Sequence, residues 1–178
     1  QGYLLVTPLQ LAYATASLAN RGHAIRPRLL RGLEDPGSGV ITHPTQRRGL
    51  TIKNKDSSYW DQVIAGMESV LHSSRGTARA SGRNSPYRIA GKTGTAQVVG
   101  ISQDGEDRSN ELPEELRDHA LFIAFAPIEQ PRIAIAVVVE NGGSGSRAAA
   151  PIARKIMDYY FIHRLRRASL RGIAHVFG

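Results

Sequence analysis

The 178-residue sequence predicts an α/β fold of the α+β type, in which an antiparallel sheet is flanked by helices. Two apolar runs, at 121–126 and at 133–139, are separated by a short turn with a proline at each end, the pattern of an antiparallel hairpin. Segments with helical spacing of apolar residues lie before and after this hairpin. No stretch of about 18 apolar residues is present, so the sequence predicts no membrane span.

The first predicted helix begins at Thr7-Pro8-Leu9-Gln10. Thr7 can cap the helix, Pro8 suits the first helical position, and Gln10 completes a capping box. An Asn-Arg-Gly sequence at 20–22 ends the helix. An extended piece at about 24–33 and a Pro/Gly-rich turn at 35–39 follow.

A second helix is predicted over 58–72, from the helical spacing of its apolar residues, including Trp60. Residues 73–86 are polar and predict a loop. Residues 88–100 predict a strand, and 101–119 a long polar loop with an acidic cluster, which we expect to be a poorly ordered flap. A third helix starts at Pro151 and has its apolar residues along one face: Ile152, Ile156, Tyr159 and Tyr160. We expect Trp60 and the two tyrosines to belong to the core.

The net charge of +8 is unevenly distributed, because residues 104–118 carry seven acids against two arginines. The basic remainder would suit an anionic partner, whether nucleic acid, lipid head groups or an acidic polymer.

Cysteine is absent, which excludes disulfides, thiol catalysis and cysteine-based zinc sites. The six histidines lack metal-ligand spacing, so no metal site is predicted; His119 is the best placed for a functional role because it enters a strand beside residues 89–97.

The segment Ile89-Ala90-Gly91-Lys92-Thr93-Gly94-Thr95-Ala96-Gln97 is the strongest candidate for chemistry. Its Gly-Lys-Thr suggests a phosphate-binding loop, but that motif needs a glycine at position 86, which is Pro86. The motif also needs a following helix, and β-branched residues follow instead. The phosphate-loop interpretation is therefore rejected.

Interpreted as a strand, the same segment places Lys92 and Gly94 on one face and Thr93 and Thr95 on the other. On an edge strand beside a cleft, free amides could hold an extended peptide and threonine hydroxyls could bind a carboxylate. A cation could stabilise developing negative charge. Gly94 would let a ligand approach the backbone closely.

Lys-Thr-Gly on a strand resembles the third motif of penicillin-binding proteins and serine β-lactamases. The resemblance extends over about residues 2–160 and is closest to the class B enzymes, in particular their elongation-specific branch, penicillin-binding protein 2. It rests on four further segments, in order along the chain: Gly2-Tyr3 to Ala12, Arg75-Gly76-Thr77-Ala78, Asp118-His119 to Pro127, and Val139-Glu140-Asn141-Gly142-Gly143.

The resemblance implies a partial penicillin-binding transpeptidase fold, with residues 1–162 as the C-terminal part of that domain and 163–178 as a basic C-terminal tail. It implies a D,D-transpeptidase that cross-links peptidoglycan stem peptides and binds β-lactam antibiotics, without a metal or organic cofactor. Lys92 and the Thr95 amide would act in catalysis, as the cation and as half of the oxyanion hole. Thr93, Gly94, Thr95 and Gln97 would bind substrate.

The sequence departs from the family pattern because it contains neither Ser-x-x-Lys nor Ser-x-Asn. We therefore expect the nucleophilic serine and an N-terminal membrane anchor to lie in an upstream remainder of the same protein, at the periplasmic face of a bacterial inner membrane. This chain alone would then be inactive. The alternative is a non-catalytic module of the same fold that senses muropeptides or β-lactams. A nucleic-acid-binding domain is disfavoured, because no recognisable nucleic-acid motif is present.

Overall fold

A three-stranded antiparallel sheet forms the centre of the protein, and its strands lie side by side in the order in which they follow along the chain. The computed structural model describes residues 5–54, 56–98 and 113–174, and side chains within them except at Arg48 and from residue 164 onward. The strands are β5 (Ala90–Ala96), β6 (His119–Ala126) and β7 (Ile133–Val139). The antiparallel pairing of β6 and β7 confirms the predicted hairpin.

Within the described residues, three helices longer than one turn surround this sheet: α1 (Pro8–Ala19), α2 (Ser58–His72) and α4 (Ala150–Ala174). A single-turn helix, α3 (Arg79–Gly82), follows α2, and a π-helical turn at Gly145–Ala149 leads into α4. The predicted capping box of α1 is confirmed, because Thr7 Oγ1 accepts from the Gln10 amide and the Gln10 side chain accepts from the Thr7 amide. The predicted mixture of helices and antiparallel sheet is thus confirmed.

Between α1 and α2 the chain forms two short antiparallel ladders rather than one extended piece. Strand β1 (His23–Ile25) pairs with β4 (Arg48–Thr51), and β2 (Leu33–Glu34) pairs with β3 (Ile41–Thr42). The predicted turn at 35–39 connects β2 to β3. It is stabilised by the Asp35 carboxylate, which accepts from the amides of Gly37 and Ser38.

The two faces of the sheet are covered by different helices. On one face, Phe122 of β6 is buried against a surface that α4 and the last residue of the π-helical turn form from small residues and one methionine: Ala149, Ala150, Ala153 and Met157. On the other face, Phe125 packs with Ile64 and Met67 of α2 and with Ala19 of α1. Because β6 lies between two helical layers, its sequence is apolar almost throughout.

Several predicted details of α4 and β5 are wrong. Ile152, Ile156 and Tyr159 are exposed, with 67% of Tyr159 accessible, because close contact between α4 and the sheet requires the alanines on the opposite side of the helix. The helix continues to Ala174, and the boundary placed at residue 163 between the domain and a basic tail stays a prediction. Strand β5 ends at Ala96 rather than at residue 100. In the described part of the chain, no helix is both long and apolar enough to cross a membrane.

Candidate active site

Strand β5 carries the Lys-Thr-Gly-Thr segment along one edge of the central sheet. Within the described residues it pairs with β6 alone, so its second backbone edge has no strand partner. Strand β5 is therefore an edge strand within the described residues, which is the condition that the peptide-binding interpretation requires. The strand lies close to β6 at Gly91, where an added Cβ would come within 2.7 Å of the Phe122 ring.

The register between β5 and β6 places the site residues on alternating faces. Thr93 is paired with Phe122 and Thr95 with Ala120, both of which belong to the core under α4. The intervening Gly94 is paired with Leu121, and an added Cβ on Gly94 would lie 3.2 Å from the Leu121 Cβ. The two threonines thus share a face, as the alternation predicted.

The polar side chains of this strand make few contacts with the described residues. The Lys92 ammonium donates to the Thr93 carbonyl oxygen at 2.7 Å, and Lys92 is exposed. The Thr93 hydroxyl lies 3.2 Å from the hydroxyl of Thr77, which belongs to the Gly-Thr-Ala segment singled out in the sequence. A hydroxyl pair, and a cation that has no carboxylate partner among the described residues, are suited to receive an anionic group.

Thr95 lines an open cleft of about 730 Å³ at the end of β5. Residues 114–118 form one wall of this cleft and residues 141–147 the other. Its lining is predominantly polar and includes two acids, Glu114 and Asp118, and two arginines, Arg117 and Arg147. The cleft therefore presents both signs of charge directly beside a residue of the predicted site.

Specific contacts fix both walls of the cleft. The Asn141 side-chain amide donates to the carbonyl oxygens of Glu115 (3.0 Å) and Arg117 (2.9 Å). The Gly143 amide donates to the Asp118 carbonyl oxygen at 2.7 Å. Asn141 and Gly143 both have positive φ angles, of 54° and 69°, which lets the chain turn sharply after β7.

His119 has a structural contact in this arrangement. Its Nδ1 accepts a hydrogen bond from the Asn141 amide at 2.9 Å, so the ring helps to hold the turn after β7. The accepting nitrogen must be unprotonated. Sequence reasoning singled out His119 but assigned no role to Asn141, which it named only within the segment 139–143; the positive-φ tendency of Asn before Gly-Gly was a further signal.

The N-terminal end of β5 is also anchored. His72 Nε2 accepts from the Ile89 amide at 3.0 Å. Two residues earlier, the Tyr87 hydroxyl donates to Asp158 of α4, whose carboxylate also accepts from Arg154 at 2.8 Å. Burial, followed by the hydrogen bond and the negative charge of Asp158, raises the pKa of Tyr87 well above its ordinary value. This network holds the segment before β5 against α4.

Gln97 directly follows the last residue of β5 and is partly buried. It therefore lies next to the strand but outside the pairing of β5 with β6. The acidic flap predicted at 101–118 lies largely outside the described residues; its last part forms a 3-10 turn at Glu114–Leu116 in the cleft wall. Within the described residues, no cluster of three or more potential ligand side chains could hold a metal ion.

Residues 1–158 match the family described as the penicillin binding protein transpeptidase domain. Peptidoglycan D,D-transpeptidase MrdA of Haemophilus influenzae is 40% identical over 167 residues, which are 93% of this chain and 25% of that protein. MrdA of Acinetobacter baumannii is 41% identical over 164 residues, 92% of this chain and 24% of the relative. The chain thus spans about a quarter of the length of these relatives.

Solved structures are similar in fold over almost the same region. Pseudomonas aeruginosa PBP2, in complex with WCK 5153, superposes with a TM-score of 0.72 at 45% identity over 90% of this chain and 31% of that one. Penicillin-binding protein A of M. tuberculosis, solved as an imipenem acyl-enzyme, gives a TM-score of 0.66 at 29% identity over 90% of this chain and 32% of that one. The chain belongs to the penicillin-binding protein transpeptidase domain family.

Proposed function

We propose that this chain is the C-terminal part of a peptidoglycan D,D-transpeptidase that cross-links stem peptides during cell-wall elongation. The observation that carries the proposal is the placement of Lys92, Thr93 and Thr95 on the free edge of the sheet in a chain of this family. The full activity requires a serine and a lysine base, which we assign to a part of the protein outside this chain. We further propose that the whole enzyme works at the periplasmic face of the bacterial inner membrane.

The proposed reaction has two acyl-transfer steps. The serine Oγ attacks the carbonyl carbon of the penultimate D-alanine, the peptide C–N bond breaks, and the departing D-alanine takes up the proton released by the serine. The amine of a neighbouring stem peptide then attacks the ester carbonyl and loses a proton. The C–O bond breaks and the serine hydroxyl is restored. No metal or organic cofactor takes part in these steps.

The residues of β5 have separate roles in this proposal. The hydroxyls of Thr93 and Thr95 hold the terminal carboxylate of the donor peptide, and Gly94 leaves room for that peptide along the free edge. The Thr95 amide is one donor of the oxyanion hole, which stabilises the charge that develops on the carbonyl oxygen. Lys92 contributes positive charge and orients the proton network, and Gln97 extends the binding edge.

β-Lactams would acylate the same serine; the M. tuberculosis relative was solved as an acyl-enzyme complex with imipenem. The test compares the full-length protein with residues 1–178 alone, after incubation of each with a fluorescent penicillin. Intact-mass spectrometry should show one adduct on the full-length protein and none on the isolated chain. A stable adduct on a serine of residues 1–178 would contradict the proposal. A full-length protein that binds penicillin without a covalent adduct would instead support the non-catalytic sensing module.

A further inference from the structure

A basic arm, residues 26–47, extends between strands β1 and β4. Its own strands, β2 and β3, pair only with each other within the described residues, so both outer edges of this ribbon have no strand partner. All residues of the arm are exposed except Gly32 and Pro44, which are partly buried. The exposed residues include five large aliphatic ones: Leu29, Leu30, Leu33, Val40 and Ile41. Such a concentration of exposed apolar side chains indicates a surface that binds another molecule.

A groove of about 320 Å³ lies at the base of the arm, where its two ends run side by side. The Arg28 guanidinium donates across the groove to the Pro44 carbonyl oxygen at 2.7 Å, and the Gln46 side-chain amide donates to the Arg26 carbonyl oxygen at 3.0 Å. The Arg26 amide also donates to the Arg47 carbonyl oxygen at 3.2 Å. These hydrogen bonds give the groove a defined shape, which lowers the entropic cost of binding.

The lining of the groove combines apolar side chains with arginines. Its apolar part consists of Pro27, Leu30 and Pro44, and every charged residue of the lining is an arginine: Arg26, Arg28 and Arg47. The side chains of Arg26 and Arg47 have no hydrogen bond or ion pair with another described residue. Three like charges around an apolar surface favour a ligand that brings carboxylates together with an aliphatic group.

The geometry of the ribbon favours a protein partner over a lipid surface. Leu33 is paired with Thr42, and Glu34 with Ile41, so the two aliphatic side chains lie on opposite faces of the ribbon. A flat membrane could cover only one of these faces, and the face of Ile41 also carries the Glu34 carboxylate, which anionic lipid would repel. A polypeptide segment can instead lie in the groove and along a free edge of the ribbon.

We propose that the basic arm binds an acidic segment of a partner protein, in which carboxylates flank an aliphatic residue. The aliphatic side chain packs on Leu30 and the two prolines of the groove, and the carboxylates pair with Arg26 and Arg47. Arg28 maintains the shape of the groove through its hydrogen bond to Pro44. The arm contains none of the residues assigned to acyl transfer, so this inference stands apart from the proposed function.

The test uses the full-length protein and a fluorescein-labelled synthetic peptide, Glu-Asp-Leu-Asp-Glu, with fluorescence anisotropy as the measurement. A second peptide carries serine in place of leucine. We expect the double variant Arg26→Gln/Arg47→Gln to bind the leucine peptide about tenfold more weakly, as for the loss of two exposed ion pairs. Leu30→Ser should weaken binding of the leucine peptide and leave binding of the serine peptide unchanged.

The matched control is Arg79→Gln/Arg83→Gln, which removes two exposed arginines at α3, outside the arm. It should bind both peptides as wild type does, and equal melting temperatures of the two double variants check that folding is not the cause. Equal loss of binding in both double variants, equal affinity for the two peptides, or no binding by wild type would overturn the proposal. Phosphatidylglycerol vesicles that bind wild type but not Arg26→Gln/Arg47→Gln, with no binding of the peptide, would assign the arm to a lipid surface instead.

Discussion

Gly145 lies directly against the backbone of Gly94, which connects the turn before α4 to the middle of the active-site strand. A Cβ on Gly145 would come to 2.5 Å from the Gly94 carbonyl oxygen and 3.1 Å from its amide nitrogen. These neighbours are backbone atoms, which cannot move aside without displacing the strand. The absence of a side chain at residue 145 thus sets how closely the second cleft wall approaches β5.

Gly145→Ala should therefore shift β5 and destabilise the protein by about 1–3 kcal/mol, the usual range for overpacking. Gly66→Ala is the matched control, because an added Cβ there, on the exposed side of α2, meets no atom within 4 Å. Alanine should stabilise that helix by about 0.5–1 kcal/mol. Thermal melting of both variants measures the contrast. A Gly145→Ala protein as stable as wild type would show that the contact is not tight.

Thr95→Val tests carboxylate binding without changing the backbone donor. Valine removes the hydroxyl but keeps the amide and suits a strand. A hydrogen bond to a charged group contributes roughly 1.5–3 kcal/mol, so acylation of the full-length enzyme by β-lactams should slow about ten- to a hundredfold. Lys92→Ala should slow it further, because the charge and the proton network are lost together.

The measurement is the second-order acylation rate of each variant, with melting temperature as the control for folding. Wild-type rates in both Thr95→Val and Lys92→Ala would mean that β5 does not line the active site.

Asn141→Ala should loosen the cleft walls. The substitution removes two side-chain hydrogen bonds. It also places alanine at a φ of 54°, a left-handed conformation that glycine and asparagine adopt more readily. Asn84→Ala controls for the backbone, because Asn84 has a φ of 55° and its side chain has no hydrogen bond within the described residues. Both variants incur the left-handed penalty, about 1–2 kcal/mol.

Asn141→Ala should lose a further 1–3 kcal/mol or so from the carbonyl contacts. Urea denaturation gives the difference, and hydrogen exchange should be faster at 114–118 in Asn141→Ala only. Equal destabilisation of the two variants would argue that the side chain of Asn141 does not hold the wall.

Tyr87→Phe removes the hydroxyl that donates to Asp158. We expect a loss of roughly 1.5–3 kcal/mol at neutral pH, because the acceptor is a charged and partly buried carboxylate. The difference in unfolding free energy between wild type and Tyr87→Phe should narrow as the pH rises past about 10, the ordinary pKa of tyrosine. There the unfolded chain releases the Tyr87 proton while the folded protein retains it, so wild type loses stability that the phenylalanine variant never had. A pH-independent gap between the two unfolding free energies would contradict this assignment.

The sequence alone determined the central hairpin, the capping box of α1 and the strand that carries Lys92 to Thr95. Each depends on short-range chemistry: apolar runs around a turn, a Thr-Pro-x-Gln cap, and small polar residues in alternation. These signals act within a few residues of one another, so they can be identified without knowing what packs on them.

The tertiary structure decided which faces are buried and where the polar cleft lies. Ile152, Ile156 and Tyr159 looked like the core face of α4, yet Ala153 and Met157 are buried instead, because Phe122 already fills the space and only small residues allow the helix to approach. The cleft joins residues 114–118 to residues 141–147 through Asn141, across a long sequence separation. No local pattern encodes that contact, since it depends on the register of β6 and β7.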